Sequence, residues 1–304
     1  MTVGVIFGGI SCEHNVSIVT GVQIQRLMRG HRIVPIYIDE AGVWWTGKKY
    51  DEIETFAKSR YAQTRVHVLP ADNRLFNARG RAVAALDCVV NCCHGTHGED
   101  GALQGVFAMS DIPLTCSGIE ASAVGLDKVT MKRLFRDAGL PQTPFLAITR
   151  DAYENDLFDV VRALKSEIGF PMIVKPASVG SSIGIGIAKN VNDLFERIRV
   201  AFEWDNKIVV EKALTDFIEL NCAVVGRGAD VETTELEQPV GWKEFLTYED
   251  KYGGGKSGKS GKCPSGCKGC KDCGGAGGKQ TTSRKMPADV DEETRNTVRT
   301  LAAK

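Results

Sequence analysis

The sequence predicts an α/β lobe followed by α+β units, and three observations carry that fold class. Val3–Phe7 is a near-continuous apolar run. An amphipathic helix with Val16, Val19, Val22, Leu27 and Met28 on its apolar side follows, and Arg32–Asp39 is apolar again. Strand, helix and strand in that order make a βαβ unit, which implies a parallel sheet. Farther along, residues 171–240 read as strands with few helices, the pattern of an antiparallel sheet. Between the two stands Phe170-Pro-Met-Ile-Val174, a short apolar run that reads as a buried strand and opens into a loop of glycine and serine. At 304 residues the chain is long enough for two or three packed units.

Taken in order, the first strand ends in Gly8-Gly9-Ile-Ser11-Cys-Glu13-His14, where a first crossover presents ligands. Glu13 there either holds a substrate ammonium or is an acidic neighbour of a helix N-cap. Residues 41–81 are mixed, with Arg65–Leu69 a peripheral strand, and Leu86–Cys92 is another buried strand. Cys93-His94-Gly-Thr-His97-Gly-Glu99-Asp100-Gly101 precedes a helix over Ala102–Met109. Its histidines and acids suggest a metal site or a turn that caps the helix. Capping with hydrogen bonds toward a substrate is preferred, since no further ligands stand nearby. Leu114–Gly118 is a short strand. Asp127-Lys128 opens a helix to about Ala138, which Gly139 ends. A strand over Phe145–Ile148, one helix over 152–168, a strand over Ile185–Ala188 and a helix over Val191–Phe202 follow. The strand Lys207–Leu214 is expected to pair with Phe217–Val225, and a helix runs from Asp291 to Ala303.

Lys175-Pro-Ala-Ser-Val-Gly-Ser-Ser-Ile-Gly-Ile-Gly186 carries the most chemistry. Glycine permits close approach of the backbone, hydroxyls donate to oxygen, and a lysine leaving the strand supplies positive charge, as a triphosphate requires. It is neither a Walker loop nor a dinucleotide fingerprint. The alternative is a glycine-rich β-hairpin with an ordinary surface lysine.

Lysine plus arginine number 38 and aspartate plus glutamate 38, so nothing argues for a nucleic-acid or anionic-membrane partner. No apolar run reaches membrane-spanning length and no signal peptide precedes the first strand, so a cytoplasmic location with reduced cysteines is expected. Cys12, Cys88, Cys92, Cys93, Cys116 and Cys222 read as small core residues.

Several short motifs now stand in order: Gly8-Gly9 with Ser11, Glu13 and Ser17; His94-Gly with Gly98-Glu-Asp-Gly101; Gly125-Leu-Asp127-Lys128; Lys175-Pro with Gly180-Ser-Ser-x-Gly184; and Glu211 with Glu219. With Tyr248-Glu-Asp-Lys251-Tyr252 they closely resemble the D-alanine–D-alanine ligases of the ATP-grasp superfamily. The resemblance covers residues 3 to about 252 and resumes at Ser283–Ala288. It implies an N-terminal substrate-binding lobe (residues 1–122), a central ATP-grasp lobe (123–205) and an incomplete C-terminal lobe (206–304) with a Gly/Lys/Cys-rich loop over 253–280.

The roles it implies belong to ATP-dependent joining of two D-alanines through an acylphosphate, for peptidoglycan precursors. Lys128 and Lys175 contact ATP phosphates, with Ser182 and Glu211 in the same nucleotide site. Lys212 and Leu214 offer backbone groups to adenine, and Glu219 holds the ribose hydroxyls. Glu13 receives the first ammonium, Ser181 and Tyr252 join it in orienting the substrates, and His94 lies near the first D-alanine. Lys251 reaches the transferred phosphate from a mobile loop. ATP with magnesium (or manganese) and a homodimer are what the resemblance implies, and no metal ligand is assigned in this chain.

Two features depart from the family. The stretch Gly253–Lys279 carries Cys263, Cys267, Cys270 and Cys273, a zinc or iron–sulfur arrangement or, preferred on composition, a low-complexity loop with free thiols. After the last helix the chain stops, where the family continues with an arginine and the magnesium ligands. A fragment, a truncated product or a non-catalytic nucleotide- or metal-binding descendant is therefore expected. D-Serine as second substrate stays open.

Overall fold

The computed structural model describes residues 1–57, 60–228, 230–240 and 283–304. They cluster into two units, residues 1–131 with 177–180 and residues 132–176 with 181–304.

In the first unit β1 (Thr2–Gly8), α1 (His14–Leu27) and β2 (Arg32–Ile38) form the expected βαβ unit, with β1 and β2 parallel and Phe7 opposite Tyr37. β1 is central, which is why Val5, Ile6 and Phe7 are all buried and the strand does not alternate. The buried face of α1 is only partly the expected one: Val22 is buried and Met28 packs against the core, as expected. Ser17, Ile18, Gly21 and Val22 face inward, whereas Val19 and Leu27 are exposed. The cause is Gly21: a Cβ there would lie 2.3 Å from Phe7 Cγ, so the absent side chain makes room for the ring. A face set by glycine and serine is invisible to a count of bulky apolar residues.

Beyond β2 the sheet turns antiparallel through β3 (Trp44–Thr46), the short helix α2 (Glu54–Ala57), β4 (Thr64–Leu69), β5 (Asp72–Asn77) and β6 (Ala82–Ala85). β7 (Cys88–Asn91), α3 (Ala102–Met109) and β8 (Leu114–Thr115) complete eight strands, with β7 parallel to both β1 and β8. The sheet is therefore mixed, not parallel throughout. The segment 41–85 returns without crossover helices, and direct returns impose antiparallel pairing. Next comes α4 (Ile119–Leu126), a helix the sequence reading did not include, then α5 (Lys128–Asp137).

The second unit is built on a four-stranded antiparallel sheet. It contains β9 (Phe145–Thr149), two helices α6 (Arg150–Asn155) and α7 (Leu157–Glu167), β10 (Met172–Pro176), β11 (Gly186–Ala188), α8 (Val191–Phe202) and β12 (Lys207–Lys212). The single helix expected over 152–168 is two because Asp156, at φ −125° and ψ 34°, leaves helical geometry. Strand order is β11-β10-β12-β9, so β12 pairs with β10 and β9, not with Phe217–Val225. Ile208, Val209, Val210 and Glu211 are all buried, as in a strand interior to a sheet that is covered on both faces, whereas Phe217 and Ile218 are exposed. Met172, Val174, Leu194, Ile198, Ile208 and Val210 form the core between this sheet and its helices. Two hairpin-like pairs follow, β13 (Val224–Arg227) with β14 (Asp230–Thr233) and β15 (Gln238–Val240) with β16 (Ser283–Lys285). The last helix, α9 (Glu292–Ala303), is capped by Asp291 and ties to Glu235 through Arg295 and Arg299.

Cys92 and Cys93 are buried, and burial pushes their thiols up, to about 11 and about 12, as suits inert core residues. Cys12 and Cys116 are exposed, contrary to the core role expected of them. Cys263, Cys267, Cys270 and Cys273 lie outside the described residues. No described helix is long and apolar enough to cross a membrane.

Candidate functional site

In the first unit the site begins where β1 gives way to α1. Gly8 and Gly9 have φ of +92° and +107°, and a Cβ on Gly8 would lie 2.1 Å from the Ile38 carbonyl oxygen. Only glycine fits that turn. Ser17 locks it: the Gly8 N–H donates to Ser17 Oγ at 2.7 Å, and that hydroxyl donates to the Cys92 carbonyl at 2.6 Å. His14 adds a second tie. Its Nδ1 is 2.5 Å from the Gly9 carbonyl and its Nε2 is 3.0 Å from the Tyr37 hydroxyl. A carbonyl only accepts, so Nδ1 carries the proton and Tyr37 donates to Nε2. His14 was given no role by sequence reasoning, and its only signal was its place beside Glu13.

Glu13 occupies the N-cap position of α1 yet its side chain makes no capping hydrogen bond. It is 5% exposed, and its N–H donates to Ser11 Oγ at 3.1 Å. The carboxylate lies against two glycines: a Cβ would come within 2.6 Å of Oε2 from Gly95 and within 2.9 Å from Gly180. Side chains are thus excluded at both positions, and backbone packs directly against the Glu13 carboxylate.

His94 bridges two elements, with Nδ1 3.6 Å from Glu99 Oε1 and Nε2 3.2 Å from Thr20 Oγ1 of α1. The hydrogen bond to Glu99 raises the His94 imidazole above its ordinary value, against the effect of burial. Burial pushes the Glu99 carboxyl up, but the bonds from His94 and the Gly95 N–H outweigh it and leave it below its ordinary value. Asp100 accepts from the N–H groups of His97 and Ala102, at 2.8 and 3.0 Å. The Asp100 bond to Ala102 is the expected cap on α3. Lys128 opens α5 behind Asp127, whose Oδ1 accepts from the Thr130 N–H at 2.9 Å. The Lys128 ammonium donates to the Val179 carbonyl at 2.7 Å and fastens the start of the glycine loop.

In the second unit Lys175 leaves β10 with its Nζ 3.0 Å from Glu211 Oε1. Glu211 lies opposite Ile173 in the register with β12, so Lys175 meets it as a diagonal cross-strand neighbour. A second lysine, Lys132, is 3.1 Å from Glu211 Oε2, and the Thr143 hydroxyl donates to the same oxygen at 3.0 Å. Burial pushes the Glu211 carboxyl up, but the two ammonium groups outweigh it and hold it below its ordinary value. Lys132 was missed. Its signal was spacing, one helical turn after Lys128 on the same face of α5.

The loop between β10 and β11 joins antiparallel strands, so it is a glycine-rich hairpin, and Lys175 is no ordinary surface lysine. Ser181 and Ser182 have φ of +49° and +61°, the left-handed region that non-glycine residues seldom enter. Gly184, at φ +70°, could not carry a Cβ without approaching Pro176 Cγ and Trp204 Cδ1 to 2.8 Å. Lys212 donates its ammonium to the Phe170 carbonyl at 2.6 Å and its N–H to Pro144 O at 3.1 Å. Leu214 and Glu219 are exposed in a segment without regular structure. Lys251 and Tyr252 lie outside the described residues. Among the described residues no three His, Cys, Asp or Glu side chains are grouped to hold a metal ion.

Family models match most of the chain: D-ala D-ala ligase N-terminus over residues 2–117 and D-ala D-ala ligase C-terminus over residues 134–267. This chain belongs to the D-alanine–D-alanine ligase family, which are carbon–nitrogen ligases. The D-alanine–D-alanine ligase of Geobacillus thermodenitrificans is 34% identical over 262 residues, covering 84% of this chain and 71% of the relative. That of Thermosipho africanus is 32% identical over 311 residues, covering 99% and 77%. The solved D-alanine–D-alanine ligase of Helicobacter pylori superposes with a TM-score of 0.69 at 26% identity, covering 79% of this chain and 75% of that one. VanG D-Ala:D-Ser ligase from Enterococcus faecalis shares the ATP-grasp fold, with a TM-score of 0.76 at 23% identity over 99% of this chain and 80% of that one.

Proposed function

We propose that this chain joins two D-alanines at the expense of ATP, in the cytoplasm, to supply a dipeptide for cell-wall synthesis. The observation that carries the reading, within a member of this family, is the buried Glu13 carboxylate walled by Gly95 and Gly180. A buried carboxylate lined by backbone is a suitable partner for an ammonium group.

The residues divide the chemistry. Glu13 holds the ammonium of the first D-alanine, and His94, tied to Glu99, donates toward its carboxylate. Lys175, Ser181, Ser182 and the loop N–H groups bind the triphosphate, with Lys128 fastening the loop, Glu211 positioning Lys175 and Lys251 reaching the same phosphate. The donor set is cationic and glycine-rich, which fits a polyanion. Backbone groups of Lys212 and Leu214 meet adenine, and exposed Glu219 meets the ribose. One carboxylate oxygen of the first D-alanine attacks the γ-phosphorus, the bond to the β–γ bridging oxygen breaks, and ADP leaves. The amine of the second D-alanine then attacks the acyl carbon, loses a proton, and expels phosphate. Ser181 and Tyr252 complete the group that orients the two amino acids. Magnesium (or manganese) accompanies ATP in this family's chemistry and neutralises phosphate charge. Among the described residues no three His, Cys, Asp or Glu side chains are grouped to hold it. A homodimer belongs to the same reading.

The test is Glu13→Gln, assayed by ATP turnover against D-alanine concentration. Loss of one charge-assisted bond should raise the D-alanine requirement about tenfold or more, with the ATP requirement nearly unchanged. Equal D-alanine requirements in the two proteins would remove Glu13 from the substrate site.

A further inference from the structure

Lys132 is a buried lysine to which neither the motifs nor the proposed roles give a task. It is 8% exposed, its ammonium is 3.1 Å from Glu211 Oε2, 3.4 Å from Gln142 Oε1 and 5.1 Å from the centre of the Phe145 ring. Glu211, 5% exposed, thus has one lysine on each oxygen: Lys132 and the Thr143 hydroxyl on Oε2, Lys175 on Oε1. The two lysines are not equivalent. Lys132 sits inside α5, with side-chain exposure of 10%, while Lys175 is at the mouth of the glycine loop with 23%. Two ammoniums on one carboxylate leave the cluster with one surplus positive charge.

A buried carboxylate stripped of its only cation is left uncompensated at large cost. Were Lys175 the sole partner of Glu211, every displacement of Lys175 toward a phosphate would incur that cost. With Lys132 and Thr143 permanently on Oε2, Glu211 stays compensated whichever way Lys175 turns. We propose that Lys132 is a positioning residue that holds Glu211 as a fixed anion and so leaves Lys175 available to a nucleotide phosphate. The proposal rests on the reading of Lys175 as a phosphate ligand, and it names what makes that lysine transferable.

The test is equilibrium binding of ATP, with magnesium present, to the 304-residue chain and its variants, read by titration calorimetry. In Lys132→Met, Lys175 is the only cation left on Glu211 among the described residues, and Glu211 captures it. ATP affinity should fall about tenfold to a hundredfold, the range for losing one charge-assisted hydrogen bond. Lys132→Arg, which keeps the charge, should bind within a few-fold of the parent. The deciding variant is the double substitution Lys132→Met with Glu211→Gln, which removes the captor as well as the competitor. It should recover most of the ATP affinity lost in Lys132→Met, because Lys175 is released. A merely structural role for Lys132 predicts the reverse, a double variant at least as weak as the single one. That result, or unchanged affinity in Lys132→Met, would overturn the proposal while leaving nucleotide binding intact. Failure of the parent chain to bind ATP at all would overturn the ligase reading and this proposal with it.

Discussion

Gly95 shows how much of this molecule turns on single atoms. Its φ of +66° and the 2.4 Å and 2.6 Å that a Cβ would leave to Ser11 Oγ and Glu13 Oε2 make it irreplaceable. Gly95→Ala costs about 1–2 kcal/mol in backbone strain alone and pushes the Glu13 carboxylate aside. The expected outcome is a raised D-alanine requirement with little change for ATP, measured by steady-state kinetics; a change confined to ATP would contradict it. His94 makes a second prediction, for pH. Its folded value lies above the ordinary 6.5, so its contribution to stability is complete below that value and is lost as pH rises through the folded value. Glu99 works in the other direction, contributing above its ordinary 4.5 and losing that contribution as pH falls through its lowered folded value. Replacing His94 with Gln should therefore lower the urea midpoint at about pH 6 and leave it nearly unchanged at about pH 9. An equal loss at both would mean that the charge of His94 contributes nothing.

Among the elements, β1 and α1 depend on Ser17, which is wholly buried and joins the Gly8 N–H to the Cys92 carbonyl. Ser17→Ala strands both groups and should cost about 1–3 kcal/mol in chemical denaturation. A cost below about 0.5 kcal/mol, the value for surface substitutions, would mean that the bridge is not needed. Elements marked by local signals were legible from sequence. α3 and α8 occupy Ala102–Met109 and Val191–Phe202 as expected, because acid and Asn caps precede apolar periodicity; Asn190 Oδ1 does accept from the Asp193 N–H at 3.0 Å. What failed was nonlocal. The partners of β12 are β9 and β10, strands well before it in the chain, rather than the adjacent segment, and the inward face of α1 depends on a ring from β1 filling the space over Gly21. In the candidate site, Glu13, Lys175 and Glu211 were singled out from motif order, and the structure buries Glu13 and sets Lys175 against Glu211. Lys132 was missed, since its one sequence signal, a helical turn's spacing from Lys128, says nothing of the carboxylate that a distant strand brings to it.

For the whole molecule, the residues proposed for the amino acid and for the phosphates fall in different units, Glu13 and His94 in one, Lys175 and Glu211 in the other. Ligand at a hundredfold excess over its dissociation constant stabilises the protein to which it binds by about 2.7 kcal/mol. ATP should therefore raise the melting temperature of the parent chain, and a Lys175→Ala variant should lose most of that rise; an unchanged rise would remove Lys175 from the nucleotide site. The measurement that bears most directly on ligase activity is D-alanine-dependent release of phosphate from ATP with magnesium, with the dipeptide identified by mass. D-alanyl-D-alanine is expected to form in step with phosphate, far above the Lys175→Ala control. Phosphate release indifferent to D-alanine, or no dipeptide from the parent chain, would contradict the ligase reading.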